Sequence, residues 1–209
     1  LLGYAMISSS DIELFLPKYL SPENYKKLLQ ELDAFPNNID KRMYTTSVES
    51  NVLYQGDGYN PFPYVELMRL EKGNKNVKGI ILSNTCDISL ENHRLYPSSI
   101  LYAPIIEIEK YRDVLIEKGA SKEQVEGHLQ AVRKQEVSSV LYLPAISKLK
   151  ESIVFFDRIM SVDNSFIKRE ELKHNRLFSL SDYGFYLLLF KLSVHFSRIQ
   201  EKVNRGSCS

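Results

Sequence analysis

Tryptophan is absent from this 209-residue chain, and cysteine is nearly so, with Cys86 and Cys208 the two thiols. Two cysteines are too few for a disulfide scaffold, and no CxxC or Cys/His spacing resembles a zinc site. No cofactor or metal motif is read, and a reducing, cytoplasmic setting is the default. An excess of charge of one sign is also missing: 27 Lys plus Arg stand against 26 Asp plus Glu, a formal net charge of +1. Global electrostatics therefore gives no sign of a nucleic-acid binder, and any such site must come from local patches. Long apolar runs are lacking too. The strongest, Tyr183–Phe190, is too short to span a bilayer, and Lys191 and His195 follow it closely. Leu1–Ala5 precede Met6 without the basic and apolar regions of a signal peptide, and they are set aside.

What is present is an ordinary globular composition, 44% hydrophobic and 25% charged, with 13 Tyr and 10 Phe. The length fits one large domain, or a core barrel with helical additions. Ser21-Pro22-Glu23-Asn24 starts a helix with an N-cap serine and a proline in the first turn. Tyr25, Leu28, Leu29 and Leu32 form its apolar stripe, and Pro36-Asn37-Asn38 ends it. From about Val48 the pattern turns to strands. Val52–Gln55 leads into the turn Gly56-Asp57-Gly58, Pro61–Pro63 keeps the chain extended, and Tyr64–Leu70 alternates as a strand. Gly73-Asn74-Lys75-Asn76 reads as a hairpin loop, with strands at Gly79–Leu82, Ser99–Ala103 and Ser152–Phe156.

Between these strands, Ile108–Lys134 switches to helical spacing, broken at Gly119, with a second helix starting at Ser121. Two flanking segments echo each other, Ser98–Ile106 (SSILYAPII) and Ser138–Ile146 (SSVLYLPAI), and read as strands ending at a proline. The tail Ser181–Val203 is a strongly apolar helix that must cover the core or pair with another subunit. The predicted fold is α+β: a small β-barrel over 48–168 carrying a helical insert at 107–137, an N-terminal helical extension over 1–47, and a C-terminal helical segment over 169–209.

The densest chemistry lies in Val77–Ser89 (VKGIILSNTCDIS), where a buried strand hands over to Ser83, Asn84, Thr85, Cys86 and Asp87. Sheet ends of this kind fix the backbone and free the side chains. The plain alternative is an Asx or Ser/Thr turn that satisfies its own backbone.

Taken in order, the strands resemble the MazF/PemK-like family of bacterial toxins. The resemblance rests on Gln55-Gly56-Asp57 at the opening turn, on Ile80-Ile81-Leu82-Ser83-Asn84, and on Ile100-Leu101-Tyr102-Ala103-Pro104. The closest stretch is Val154-Phe155-Phe156-Asp157-Arg158-Ile159-Met160-Ser161-Val162-Asp163-Asn164-Ser165-Phe166. It covers roughly Val52–Lys168, interrupted by the helical insert. The resemblance implies an SH3-like barrel, a homodimer with an antitoxin or other protein partner, and metal-independent cleavage of single-stranded RNA in a bacterial toxin–antitoxin or phage-defence system.

Family members use an arginine just before the strand that ends in Ser-Asn, and a Ser/Thr hydroxyl on the next strand. Those positions fall here on Lys78 (or Gly79) and on Ser98 or Ser99. Lysine keeps the charge but lacks the planar fork. Thr85-Cys86-Asp87 replaces the short Asn-Asp turn, so the fold can persist while the chemistry changes. The candidate catalytic set is therefore Lys78, Ser98, Ser99, Cys86 and Asp87.

For RNA, Lys168, Arg169 and Arg176 can track phosphates while Tyr59, Phe62 and Tyr64 offer stacking surfaces. Glu170-Glu171 interrupt that run, so a solvated face is the plainer reading. Cys86, Asp87 and His93 can form a Cys/His nucleophile set; the plain alternative is a small buried thiol and a capping aspartate. His128 is expected to face solvent, His174 to sit in a local basic spot, His195 to pack in the core, and Arg158 to pair with a neighbouring carboxylate. Three readings follow: an RNA-acting MazF/PemK-like protein, a non-catalytic interaction module on the same barrel, and a cysteine-dependent enzyme.

Overall fold

The computed structural model describes residues 42–64, 75–93 and 95–197. The helix expected at 21–35 and the strand residues 65–70 lie outside them. Eight strands and five helices appear among the described residues: β1 (Tyr44–Thr45), β2 (Gly58–Tyr64), β3 (Lys75–Ile81), α1 (Thr85–Ile88), β4 (Ser99–Glu107), α2 (Ile108–Glu117), α3 (Lys122–Arg133), β5 (Val140–Leu143), β6 (Ser152–Phe155), β7 (Met160–Asp163), α4 (Leu172–Asn175), β8 (Arg176–Leu180) and α5 (Asp182–Ser197).

The strands form one antiparallel sheet in the order β1-β8-β2-β3-β4-β6-β5, with β7 beside the first half of β4. The fold is therefore α+β, but the ladder is open: its edge strands, β1 and β5, do not pair among the described residues. Side chains bridge that gap instead. The Tyr44 hydroxyl donates to Pro144 O at 2.8 Å, and Lys148 Nζ donates to Arg176 O at 3.0 Å.

Pro61–Pro63 is extended as expected, inside β2. Several boundaries differ from the sequence expectation: Lys75 and Asn76 begin β3 rather than close a loop. Val52–Gln55 is loop, not strand. β5 stops just before Pro144 as expected, but β4 runs through Pro104 to Glu107. The reason is pairing: Pro104 lies opposite Gly79 of β3, and on the other side β6 carries the strand onward, where Ile105 faces Val154. β1 and β8 lie outside the 48–168 segment expected to carry the strands, yet both belong to the sheet.

Alternation along β3 and β4 divides the core. Ile80, Leu82, Ala103 and Ile105 face a cluster roofed by Tyr183, Leu187 and Leu188 of α5. Val77, Ile81, Ile100 and Tyr102 face a second cluster with Tyr59, Phe62, Ile88 and Leu172. The insert joins a third: Val125, Leu129 and Val132 of α3 pack on Val140, Tyr142 and Ile153. The helix start read at Ser121 is a capping box, in which Ser121 Oγ accepts from Gln124 N at 3.2 Å and Gln124 Oε1 accepts from Ser121 N at 3.0 Å.

Candidate functional site

The end of β3 is fastened to the Gly-Asp turn. Gly56 adopts φ +88°, a left-handed turn that glycine permits, and its N–H reaches Ile81 O at 2.8 Å. Ile81 N returns to Asp57 O at 2.9 Å, Gln55 Nε2 donates to Leu82 O at 2.7 Å, and Gln55 N donates to Thr85 Oγ1 at 3.0 Å. Two of the stretches singled out in the sequence thus touch.

Beyond Leu82 most polar groups serve the backbone. Ser83 Oγ accepts from Leu101 N at 2.7 Å and donates to Ser99 O at 3.3 Å, extending the ladder with a side chain. Asn84 caps α1 by accepting from Cys86 N at 2.9 Å. Asn92 Nδ2 donates to Cys86 O at 3.1 Å.

Ser98 is held by Asn164, a buried residue of the Val154–Phe166 stretch that was not among the candidate site residues. Asn164 Nδ2 donates to Ser98 Oγ at 2.8 Å and to Ile88 O at 3.1 Å, and Asn164 N donates to Ser98 O at 3.1 Å. Arg169 completes the knot. Its guanidinium donates to Asn164 Oδ1, to Ile88 O at 3.1 Å and to Ile167 O at 2.8 Å.

Cys86 is exposed rather than buried, because α1 places it on the outer side of a single turn. No hydrogen bond joins it to the exposed His93 among the described residues. Asp87 is exposed beside it, and Ser99 is exposed at the start of β4.

Lys78 is elsewhere. Gly79 lies opposite Pro104, so its neighbour Lys78 lies at the end of β4 far from Ser99. At about 3.3 Å per residue, the stretch from Ile105 to Ser99 spans roughly 20 Å. The cation and the hydroxyls expected to act together stand toward opposite ends of β4. Lys78 is half-buried on the side of β3 that carries Ile80 under α5, with no ion-pair partner among the described residues.

Of the expected RNA-contacting residues, Tyr59, Arg169 and Arg176 turn inward. Tyr59 is buried, with its ring edge-on to Phe62 and its hydroxyl accepting from Asn175 Nδ2 at 3.2 Å. Arg176 Nε stands 3.0 Å from Asp57 Oδ2, off the hydrogen-bond line, while its other nitrogens donate to Glu49 O at 3.0 Å and to Val52 O. Burial raises the Asp57 carboxyl above its usual range, with Ser179 and Arg176 pulling the other way. Tyr64 is half-buried at the end of β2, and exposed Lys168 pairs with Glu171 at 3.5 Å.

Other expectations also shift. His128 does not face solvent freely: its Nε2 lies 3.0 Å from the Tyr111 hydroxyl, and burial lowers its pKa. Arg158 lies over the Phe155 ring, 5.1 Å from its centroid, and forms no ion pair among the described residues. His195 packs as read, its ring 5.7 Å from Phe156.

The feature that sequence reasoning passed over is apolar. On the loop between α1 and β4, Leu90 is 61% exposed, Tyr96 is 84% exposed and Leu95 is fully exposed. The available signal was an apolar trio with no strand or helix period, set in a polar run. Among the described residues no cluster of His, Cys, Asp and Glu is arranged to hold a metal ion, and no helix is long and apolar enough to cross a membrane. Compared with known proteins, the chain matches no family model and no curated protein.

Proposed function

We propose that this chain is a non-catalytic protein-interaction module built on a MazF/PemK-like scaffold, of the kind used in bacterial defence systems. The observation that carries the reading is the loop bearing Leu90, Leu95 and Tyr96. Three large apolar side chains face water on a segment that Asn92 ties back to Cys86 O and that Asn164 holds at Ser98. Exposed apolar side chains grouped on one loop mark an interaction site, and Tyr is among the residues enriched as interface anchors. The SH3-like barrel belongs to this proposal; in its favour, the sheet curls until Tyr44 and Lys148 bridge its edges.

The second reading is an RNA-acting, metal-independent endoribonuclease that works as a homodimer. Lys78 favours it, as a half-buried cation with no ion-pair partner among the described residues. Against it stand the roughly 20 Å of strand between Lys78 and Ser99 and the inward-facing Arg169 and Arg176.

One experiment separates the two. The purified protein is incubated with mixed-sequence single-stranded RNA in EDTA, and the new ends are mapped. The expected outcome is no site-specific cutting. Cuts that disappear in Lys78→Ala would replace the binding reading with the enzyme. In parallel, a photocrosslinking residue at Tyr96 is expected to capture a protein in the native host, with Lys118 as the control position.

A further inference from the structure

Lys191 is the largest charged side chain sealed inside the described fold, 2% exposed on the inner side of α5. Its Nζ donates to Gln135 O at 2.7 Å and to Val137 O at 3.0 Å. Both carbonyls lie just past the end of α3, where Gln135 turns the chain at φ +60°. The lysine therefore ties the C-terminal helix to the exit of the helical insert.

Among the described residues its partners are two, and both are neutral. Two acceptors match the two N–H groups of an uncharged amine, whereas an ammonium carries a third that meets no acceptor among the described residues. Among the described residues no carboxylate reaches it. The charged and titratable side chains on the surrounding elements are otherwise engaged or turned outward. Arg133 and Tyr142 bind Glu151, and Arg176 stands on Asp57. Lys134, Glu136 and Asp182 are exposed, and Tyr186 is half-buried. On α5 itself, Tyr183 is buried and His195 lies one turn away against Phe156.

We infer that Lys191 is a proton-operated clasp between α5 and the end of the insert, fastening them when neutral and loosening them when protonated. Burial disfavours the ammonium more than two carbonyl dipoles favour it, and the pKa falls to about 7. In the opened state the lysine meets water and regains its ordinary affinity for a proton. Opening therefore takes up a proton above neutrality and becomes harder as pH rises, while below neutrality the clasp is charged in both states and stays at its loosest.

The test is hydrogen exchange on the full chain from pH 6 to 9, corrected for the intrinsic rate and followed over residues 132–140 and 186–197. The opening equilibrium is expected to fall about tenfold per pH unit above neutrality, the slope of one proton, and to be flat in Lys191→Met. A flat wild-type profile, or a slope that survives Lys191→Met, would overturn the clasp. His195→Gln is expected to keep the slope, and its loss there would assign the titration to the histidine instead. Should Lys191→Met fail to fold, 13C NMR titration of the wild-type lysine side chains decides: a midpoint near 7 for one lysine supports the clasp, and all midpoints near about 10 overturn it.

Discussion

The guanidinium of Arg176 stands against buried Asp57 and donates to the Glu49 and Val52 carbonyls, so it holds the segment entering the Gly-Asp turn. Removing it leaves the Asp57 carboxylate buried without its cation. Arg176→Ala is expected to lower stability by about 3–5 kcal/mol in urea titration, and Arg176→Lys to recover only part, since lysine cannot span two carbonyls and a carboxylate. A phosphate-binding role would give the opposite pattern, unchanged stability and weaker RNA retention. His128 yields a prediction with a definite sign. Burial holds its folded pKa below the unfolded value, so the unfolded chain takes up the proton first as pH falls through about 6.5. Stability should drop towards acid over that window, and His128→Gln should flatten the drop. Residue types were legible in the sequence here, but their direction was not. Arg169 and Arg176 read as a basic strip because sequence shows charge and spacing, while the carbonyls that absorb them, Ile88 and Val52, are distant along the chain.

At the scale of elements, local pattern carried well where one element decides its own form. The Ser121 capping box and the 3.6-residue spacing of Val125, Leu129 and Val132 gave α3. It failed for elements that exist only through partners: β8, Arg176–Leu180, is a strand because β1 and β2 pair with it. The same dependence governs β3. A Cβ on Gly79 would stand 2.5 Å from the Phe62 ring, which itself stacks on Tyr102 with centroids 4.0 Å apart. Gly79→Ala is therefore expected to cost about 1–3 kcal/mol by overpacking, measured as a lowered urea midpoint with unchanged slope. Gln135 guards the outer strand: its amide donates to Tyr142 O at 2.7 Å and accepts from Tyr142 N at 3.0 Å, taking the place of a neighbouring strand. Gln135→Ala should uncover that edge and promote self-association, visible in analytical ultracentrifugation.

For the whole molecule, the three apolar clusters share strands rather than standing apart. β4 lends residues to the two main clusters, and β5 and β6 carry the insert's cluster on one side and the α5 cluster on the other. The described fold is expected to unfold in one transition, with near-ultraviolet circular dichroism and hydrogen exchange of the insert losing structure together; a separate early transition for residues 108–134 would show the insert to be detachable. The α+β class was legible from alternating and helical periods. The open ladder was not, because closure depends on how far a sheet curls, which no single segment encodes. That curl has a mechanical consequence. A closed ladder resists widening with a full row of backbone hydrogen bonds, whereas among the described residues β1 and β5 are joined through side chains: the bonds from Tyr44 and Lys148 and the apolar cluster under α5. Along that line the sheet can part without tearing any strand from its neighbour, and the resistance to parting comes from side-chain packing under α5 rather than from a ladder.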